Sequence, residues 1–274
     1  MQLATDLATD PGPTVRDASS WPAAIGLGLA DAAAEVQPLS QVVASRLGVV
    51  TALQAEADCL RALGEGVTPL TAVSGGSGVR ARRSAEQLCA EGVAGLVSFG
   101  LASGLAPILR PGDVVIGEAV ALPGGGALAT DAGWRAALMH RLAGMGLNVR
   151  VARIAGSDEP LASASAKRKA FQATFAAALD TESHAVAEVA LSAGLPLLVV
   201  RAIAEPAEAM RPPFAFAATG ADGRTRSLAV VGHLATRPWE IPAAWRFSKN
   251  GRLALDALRR VAAIGPEPFA FATG

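Results

Sequence analysis

Cysteine, histidine and long apolar runs are all scarce in this sequence, and each shortage closes off a class of function. The 274 residues hold two cysteines, Cys59 and Cys89, both inside helical patterns. They make neither a disulfide framework nor a metal signature, and they read as small buried hydrophobes. The three histidines, His140, His184 and His233, share no metal-ligand spacing, so no metal is expected and no cofactor is implied. No uninterrupted apolar stretch reaches about 18 residues, so no segment is expected to span a bilayer. The N-terminus, MQLATDLATD, has no basic region ahead of an apolar run. No signal peptide is therefore expected, and the cytoplasm is the expected compartment. Net charge is absent too: 24 Lys and Arg balance 24 Asp and Glu, which argues against nucleic acid as a partner.

The balance hides an asymmetry. Residues 1–44 carry five acids, Asp6, Asp10, Asp17, Asp31 and Glu35, against Arg16. Residues 224–260 carry eight Arg or Lys against Glu240 and Asp256. A basic C-terminal region on a neutral chain suits either anionic lipid or a partner, or else a solvated helix face.

At 51% hydrophobic the chain can bury one full core. Residues 1–44 lack sustained periodicity and are expected to be a poorly ordered extension. A single domain is expected over 45–265, with 266–274 as a tail. Apolar runs at 46–53, 70–73, 93–99, 148–156 and 197–200 read as strands, as does the stretch after the Pro-Gly turn at 111–112. Helical periodicity marks 55–63, 78–91, 131–146, 167–175, 183–193 and 242–263. Strands alternating with helices give an α/β fold: a mixed, largely parallel sheet flanked by helices.

The most informative stretch is LDTESHAVAEVALSAGLPLLVVRAIAEP, 179–206. It places Glu182 just before a helix, which Gly194 and Pro196 stop, and Glu205 just after a buried strand. In open α/β sheets, ligands sit outside the carboxyl ends of such strands. Glu56 lies near another strand end, between 46–53 and the following helix. Taken alone, each of these acids is equally a solvated loop residue. The turn SGGSG, 74–78, presents backbone N–H groups at a helix start, which suits an anion or a close-packed ligand, or a plain tight turn. Arg80, Arg82 and Arg83 follow it and read as a solvated helix face. Ser74 and Ser77 have no His/Asp partners in the pattern, so a serine hydrolase is rejected. His184 is open between contact with a site and local bonding at a helix start.

Taken jointly, LGVVTALQAEAD, SFGLASGLAPILRPGDVVIGEAV, DTESHAVAEVA and LLVVRAIAEP resemble the nucleoside phosphorylase/nucleosidase superfamily over about 47–204. Within it, DTESHAVA, EPAEAMRPP and TGADGRTRSLAVVGHLATRPWEIPAAWRF are most similar to the hopanoid-associated nucleosidases, also called phosphorylases. The resemblance implies release of adenine from adenosylhopane to leave ribosylhopane. It implies that Glu56 positions or deprotonates water, that Glu182 accepts hydrogen bonds from the ribose hydroxyls, and that Glu205 is the acid at the purine N7. Gly75, Gly76 and Gly78 would line the water and ribose side, with Thr181 and Leu101 beside the sugar. Four residues depart from the pattern: Ala204-Glu205 replaces Ser-Asp, Leu101 stands where Ser is frequent, and Thr181 where Met is usual.

A hydrocarbon-linked substrate needs an apolar channel or a membrane-facing mouth. Met210, Phe214, Trp239, Trp245 and Phe247 are the candidates for it, which adds peripheral contact with the inner face of the membrane to the expected partners. The resemblance also implies a homo-oligomer. Two rival functions stay open: a soluble methylthioadenosine/adenosylhomocysteine nucleosidase or purine nucleoside phosphorylase, and a non-catalytic nucleoside binder.

Overall fold

The structure, a computed structural model, describes residues 46–63, 69–217, 220, 222–264 and 268–271; the expected extension at 1–44 lies outside them. In chain order the strands are β1 (Leu47–Thr51), β2 (Leu70–Val73), β3 (Gly95–Gly104), β4 (Val114–Ala121), β5 (Ala127–Ala129), β6 (Val149–Gly156), β7 (Ala178–Asp180) and β8 (Leu197–Glu205). The helices are α1 (Gln54–Ala57), α2 (Gly78–Ala90), α3 (Ala132–Leu142), α4 (Ala164–Thr174), α5 (Ser183–Ala193), α6 (Pro213–Ala217), α7 (Ser227–Thr236) and α8 (Ile241–Ala262).

The continuous apolar runs become the centre of one mixed sheet. β3 lies between β1 and β8, parallel to both, and nearly every residue of the three is buried. That is why they read as runs and not as alternation. On one face Phe99, Leu198 and Val200 meet Ala254, Leu258 and Val261 of α8 and Trp134 and Leu138 of α3. On the other, Leu96, Val199 and Ile203 meet Ala81, Ala85 and Leu88 of α2 and Val186 and Val189 of α5. Each Val, Leu, Ile or Phe among them contributes roughly 1.5–3 kcal/mol when fully buried.

The sheet also closes on itself. β8 pairs with β4 antiparallel, β4 with β6 parallel, β6 with β7 parallel, and β7 with β3 antiparallel. β3, β8, β4, β6 and β7 thus form a closed circuit, with β1, β2 and β5 attached outside it. This circuit builds the site. Ser103 pairs with Leu179, so the chain leaving β7 runs back along β3 toward Leu101. It delivers Asp180 and Glu182 beside the middle of β8.

Local signals set the helix ends. Asp131 caps α3 by accepting the Trp134 N–H at 2.7 Å, and Ser163 caps α4 through the Ala166 N–H at 3.2 Å. Gly194, at φ 65°, ends α5 in the left-handed conformation that glycine adopts without strain.

Within the stretch expected to be a tail, the described residues 268–271 pack on the core: Phe269 is fully buried, and its ring meets Phe99 edge-on at 5.3 Å. The Trp134 indole donates to the Phe269 carbonyl at 2.9 Å, and its ring lies tilted at 55° against Phe271 with centroids 4.6 Å apart. Two aromatics in an otherwise small-residue segment are enough to anchor it.

Candidate active site

Glu56 sits in the first turn of α1 and folds back over that helix's own start. One carboxylate oxygen accepts the N–H groups of Ala52 and Leu53, each at 2.8 Å, and the other accepts the Leu101 N–H at 2.8 Å. The side chain is 1% exposed. Burial raises its carboxyl above the usual range, and the three N–H groups and Arg201 pull part of the way back. A carboxylate has about four lone-pair sites, so one remains for a further donor. Leu101 serves this arrangement through its main chain.

Gly100 makes the fit possible. A Cβ there would lie 2.8 Å from the Glu56 carboxyl carbon. Gly100→Ala is therefore expected to push Glu56 off the Leu101 N–H. Misplacement of about an ångström costs roughly 10²-fold in rate. Kinetics on a variant with an unchanged melting curve would check this.

Around Glu182 the chain builds a buried charge network. Asp180 accepts the N–H groups of Glu182 at 2.7 Å and Ser183 at 2.6 Å, and the Ser183 hydroxyl at 2.6 Å. The Arg201 guanidinium, 2% exposed, donates to Asp180 at 2.8 Å, to the Ser98 hydroxyl at 2.6 Å and to that of Ser183 at 3.0 Å. Its distance to the Glu182 carboxylate is 3.9 Å. Burial works to raise the Asp180 carboxyl, but Arg201 and Ser183 outweigh it and hold Asp180 below its ordinary value. Glu182 goes the other way. Burial, then the neighbouring Asp180 charge, push it up to about 7, against the pull of Arg201 and the Thr181 hydroxyl. Thr181 donates to the Glu182 carboxylate and so positions it.

The Gly-rich turn closes over Glu182. Gly75 and Gly76 have φ of 65° and 73°, and a Cβ on Gly76 would stand 3.8 Å from a Glu182 oxygen. Gly78 is packed against His184 and the Thr181 carbonyl. The buried Ser74 hydroxyl in this turn has no protein partner among the described residues. Arg80 donates to the Ser74 and Gly75 carbonyls, and Arg82 bonds Glu188. His184 is buried two residues beyond Glu182, 3.4 Å from Asp158, beside a cleft of about 260 Å³ that Gly78 also lines.

Glu205 ends β8, four residues beyond Arg201, in a second cluster. It pairs with Arg211 and, at 3.5 Å, with Lys167. The fully buried Lys167 ammonium also donates to the carbonyls of Pro206 at 3.1 Å and Ala209 at 3.0 Å. Burial draws this ammonium below its usual value, and Glu205 offsets part of that.

Residues 25–235 match the description "Phosphorylase superfamily". The chain belongs to the phosphorylase superfamily. Solved structures agree in fold. A 5'-methylthioadenosine/S-adenosylhomocysteine nucleosidase from Neisseria meningitidis, in complex with methylthio-immucillin-A, aligns with TM-score 0.62 at 19% identity, over 80% of this chain and 98% of that one. Futalosine hydrolase of Helicobacter pylori aligns with TM-score 0.60 at 14% identity, over 80% and 97%. A 5'-methylthioadenosine/S-adenosylhomocysteine nucleosidase from Streptococcus pneumoniae gives 0.58 at 20% identity, over 80% and 99%. No curated protein matches the sequence.

In this superfamily member the structure gathers Glu56, Glu182, Thr181, Gly75, Gly76, Gly78 and Leu101, and holds Glu205 with its own cations at the end of β8. Sequence reasoning passed over Asp180, Arg201, Lys167 and Arg211. Arg201 left a usable signal: a lone Arg inside a buried strand must be paired. The residues expected at an apolar channel or a membrane-facing mouth are split: Phe214 is buried between His233 and Phe247, whereas Met210, Trp239 and Trp245 are 72%, 71% and 61% exposed.

The two opposed carboxyl shifts give a stability signature. Glu182 has an ordinary value of 4.5 and a folded value of about 7, so within that window the native state holds a proton the unfolded chain has released. Its contribution is fully present below pH 4.5 and lost as pH rises through about 7. Denaturant unfolding between pH 5 and 8 should show stability falling with pH, and Glu182→Gln should flatten the fall.

Proposed function

We propose that the chain is an N-glycosidase that hydrolyses the bond between adenine and ribose. The observation that carries this reading is the pair of enclosed carboxyls, Glu56 and Glu182. Both are pushed toward protonation, the Glu56 charge itself adds to the push on Glu182, and each lies against a glycine, Glu56 against Gly100 and Glu182 against Gly76 of the Gly-rich turn. Cleavage of an N-glycosidic bond passes through a ribosyl cation, so the base must leave neutral and water must reach the sugar. Glu56, with one acceptor site left after its three N–H bonds, holds and deprotonates that water. Glu182 and the Ser74 hydroxyl, which has no partner among the described residues, take the ribose hydroxyls. Glu205 serves at N7: with its two oxygens held by Lys167 and Arg211 it is a carboxylate, and the proton it passes to N7 is one it takes from solvent once Arg211 has left. Arg211, whose side chain is a quarter exposed, turns aside as the purine enters.

Hydrolysis is favoured over phosphorolysis for a specific reason. The arginines nearest the Gly-rich turn are engaged: Arg80 with main-chain carbonyls and Arg82 with Glu188. Arg201 is engaged by Asp180, Ser98, Ser183 and the Val200 carbonyl. No arginine of this set is offered to a phosphate.

For the substrate, the segments DTESHAVA and EPAEAMRPP support adenosylhopane, with ribosylhopane and adenine as products. The fold shared with methylthioadenosine/adenosylhomocysteine nucleosidases supports a soluble thioadenosine as the second reading. Turnover of both substrates with and without phosphate tests this. The expected products are free adenine and an unphosphorylated sugar, with adenosylhopane the better substrate. A sugar phosphate would make the protein a phosphorylase, and preference for methylthioadenosine would select the second reading.

A further inference from the structure

We infer that α7 and the start of α8 form a docking surface for an anionic lipid bilayer. α7, SLAVVGHLAT, contributes no buried residue to the protein. Leu228 and Val231, one turn apart on the same helix face, are 88% and 63% exposed. The next exposed apolar residues in sequence are Trp239 at 71%, Ile241 at 52% and Trp245 at 61%. A ten-residue helix is too short to be stable alone in water. This one is tied down at its far end, where His233 bonds Glu240 at 2.9 Å and packs on Phe214. Its apolar residues thus stay outward on a fixed support.

Charge identifies the occupant. Arg224, Arg226, Arg246, Lys249 and Arg252 are exposed on the same segment, and Lys249 lies 5.5 Å from the Trp245 ring. The single acid from 224 to 252, Glu240, is mostly buried and already bonded to His233. Exposed Trp and Leu among uncompensated cations match the boundary between acyl chains and anionic headgroups. A second copy of the chain fits less well, because a two-fold contact would set this cationic surface against itself.

The surface is rooted at the candidate site. Four residues before α7, the buried Gly223 accepts the Gln54 N–H at 3.0 Å. Its φ is 72°, and a Cβ would stand 2.8 Å from the Ala52 carbonyl. Gly223 therefore rests on the turn that leads into Glu56, which ties the chain entering α7 to that turn. The inference stands apart from the substrate reading, because vesicle binding is measured without turnover.

The test is sedimentation of the full chain with vesicles of phosphatidylcholine, with and without phosphatidylglycerol. Binding is expected only with phosphatidylglycerol, weakening as salt is raised. A variant combining Leu228→Ser, Trp239→Ser and Trp245→Ser should lose affinity at least about tenfold. So should one combining Arg246→Glu and Lys249→Glu. All five positions are exposed, and circular dichroism would check that both variants stay folded. The inference is overturned if nothing sediments with either vesicle, or if binding survives both variants. It is equally overturned if the apolar variant merely converts a dimer to a monomer. Retention on polyglutamate without vesicle binding would assign the face to an acidic protein and overturn it too.

Discussion

Replacing Glu56 with Gln is expected to lower adenine release by about 10²–10⁴-fold, the range associated with removing a positioned acid or base. The geometry explains why the amide cannot substitute. Both carboxylate oxygens are acceptors for main-chain N–H groups, two on one oxygen and one on the other. An amide keeps one acceptor oxygen and turns an NH2 group toward a donor, so at least one buried N–H loses its partner. That costs about 1–3 kcal/mol of stability. Two effects are thus predicted together: a modest fall in melting temperature, and a rate loss that persists well below it. If the rate is unchanged while stability falls, Glu56 is a capping residue of α1 and nothing more.

The second large effect is on stability. Arg201→Met is expected to destabilise the protein by about 3–5 kcal/mol, the cost of leaving a buried charge unpaired. For a domain of this size that is a drop of roughly 6–20 °C in melting temperature. Methionine fills much of the volume but returns nothing to Asp180, Ser98 or Ser183, which all bond the guanidinium. The loss should be greatest at neutral pH and smaller in mild acid, where protonation removes the uncompensated carboxylate charge. Arg201→Lys keeps the charge without the fork and should fall between. Unfolding curves at pH 5 and pH 8 would separate this electrostatic account from simple loss of packing, which would give the same deficit at both.

Much of this architecture was legible because the strands at its centre are buried on both faces. LGVV, GLVSF and LLVV could hardly be anything else between turn signals, and Gly194 with Pro196 ended α5 where expected. The acids stood out for the complementary reason: they interrupt or bound those runs. What stayed hidden was nonlocal or short. β5 and β7 have three residues each, too few for periodicity to register. β7 closes the strand circuit and aims Glu182. α7 has no side-chain cap at Arg226 and an apolar pattern without a polar face, so neither the start signal nor the amphipathic signal was present. Lys167 sits in a run, AKRKA, that looks solvated, yet it is fully buried because the 206–209 turn wraps its ammonium in carbonyls. Thr181 and Leu101 depart from the resembled pattern without breaking the site. The first supplies a hydroxyl to Glu182, and the second needs only its main-chain N–H.

The measurement that tests the central claim most directly is release of free adenine from adenosylhopane by the purified full chain, in buffer without phosphate. The carboxylate site described here predicts adenine accumulating together with ribosylhopane, and its loss in Glu56→Gln and Glu182→Gln proteins that still fold. Binding of the nucleoside without any adenine release, from adenosylhopane or from methylthioadenosine, would contradict it and make the protein a nucleoside binder built on an enzyme's fold.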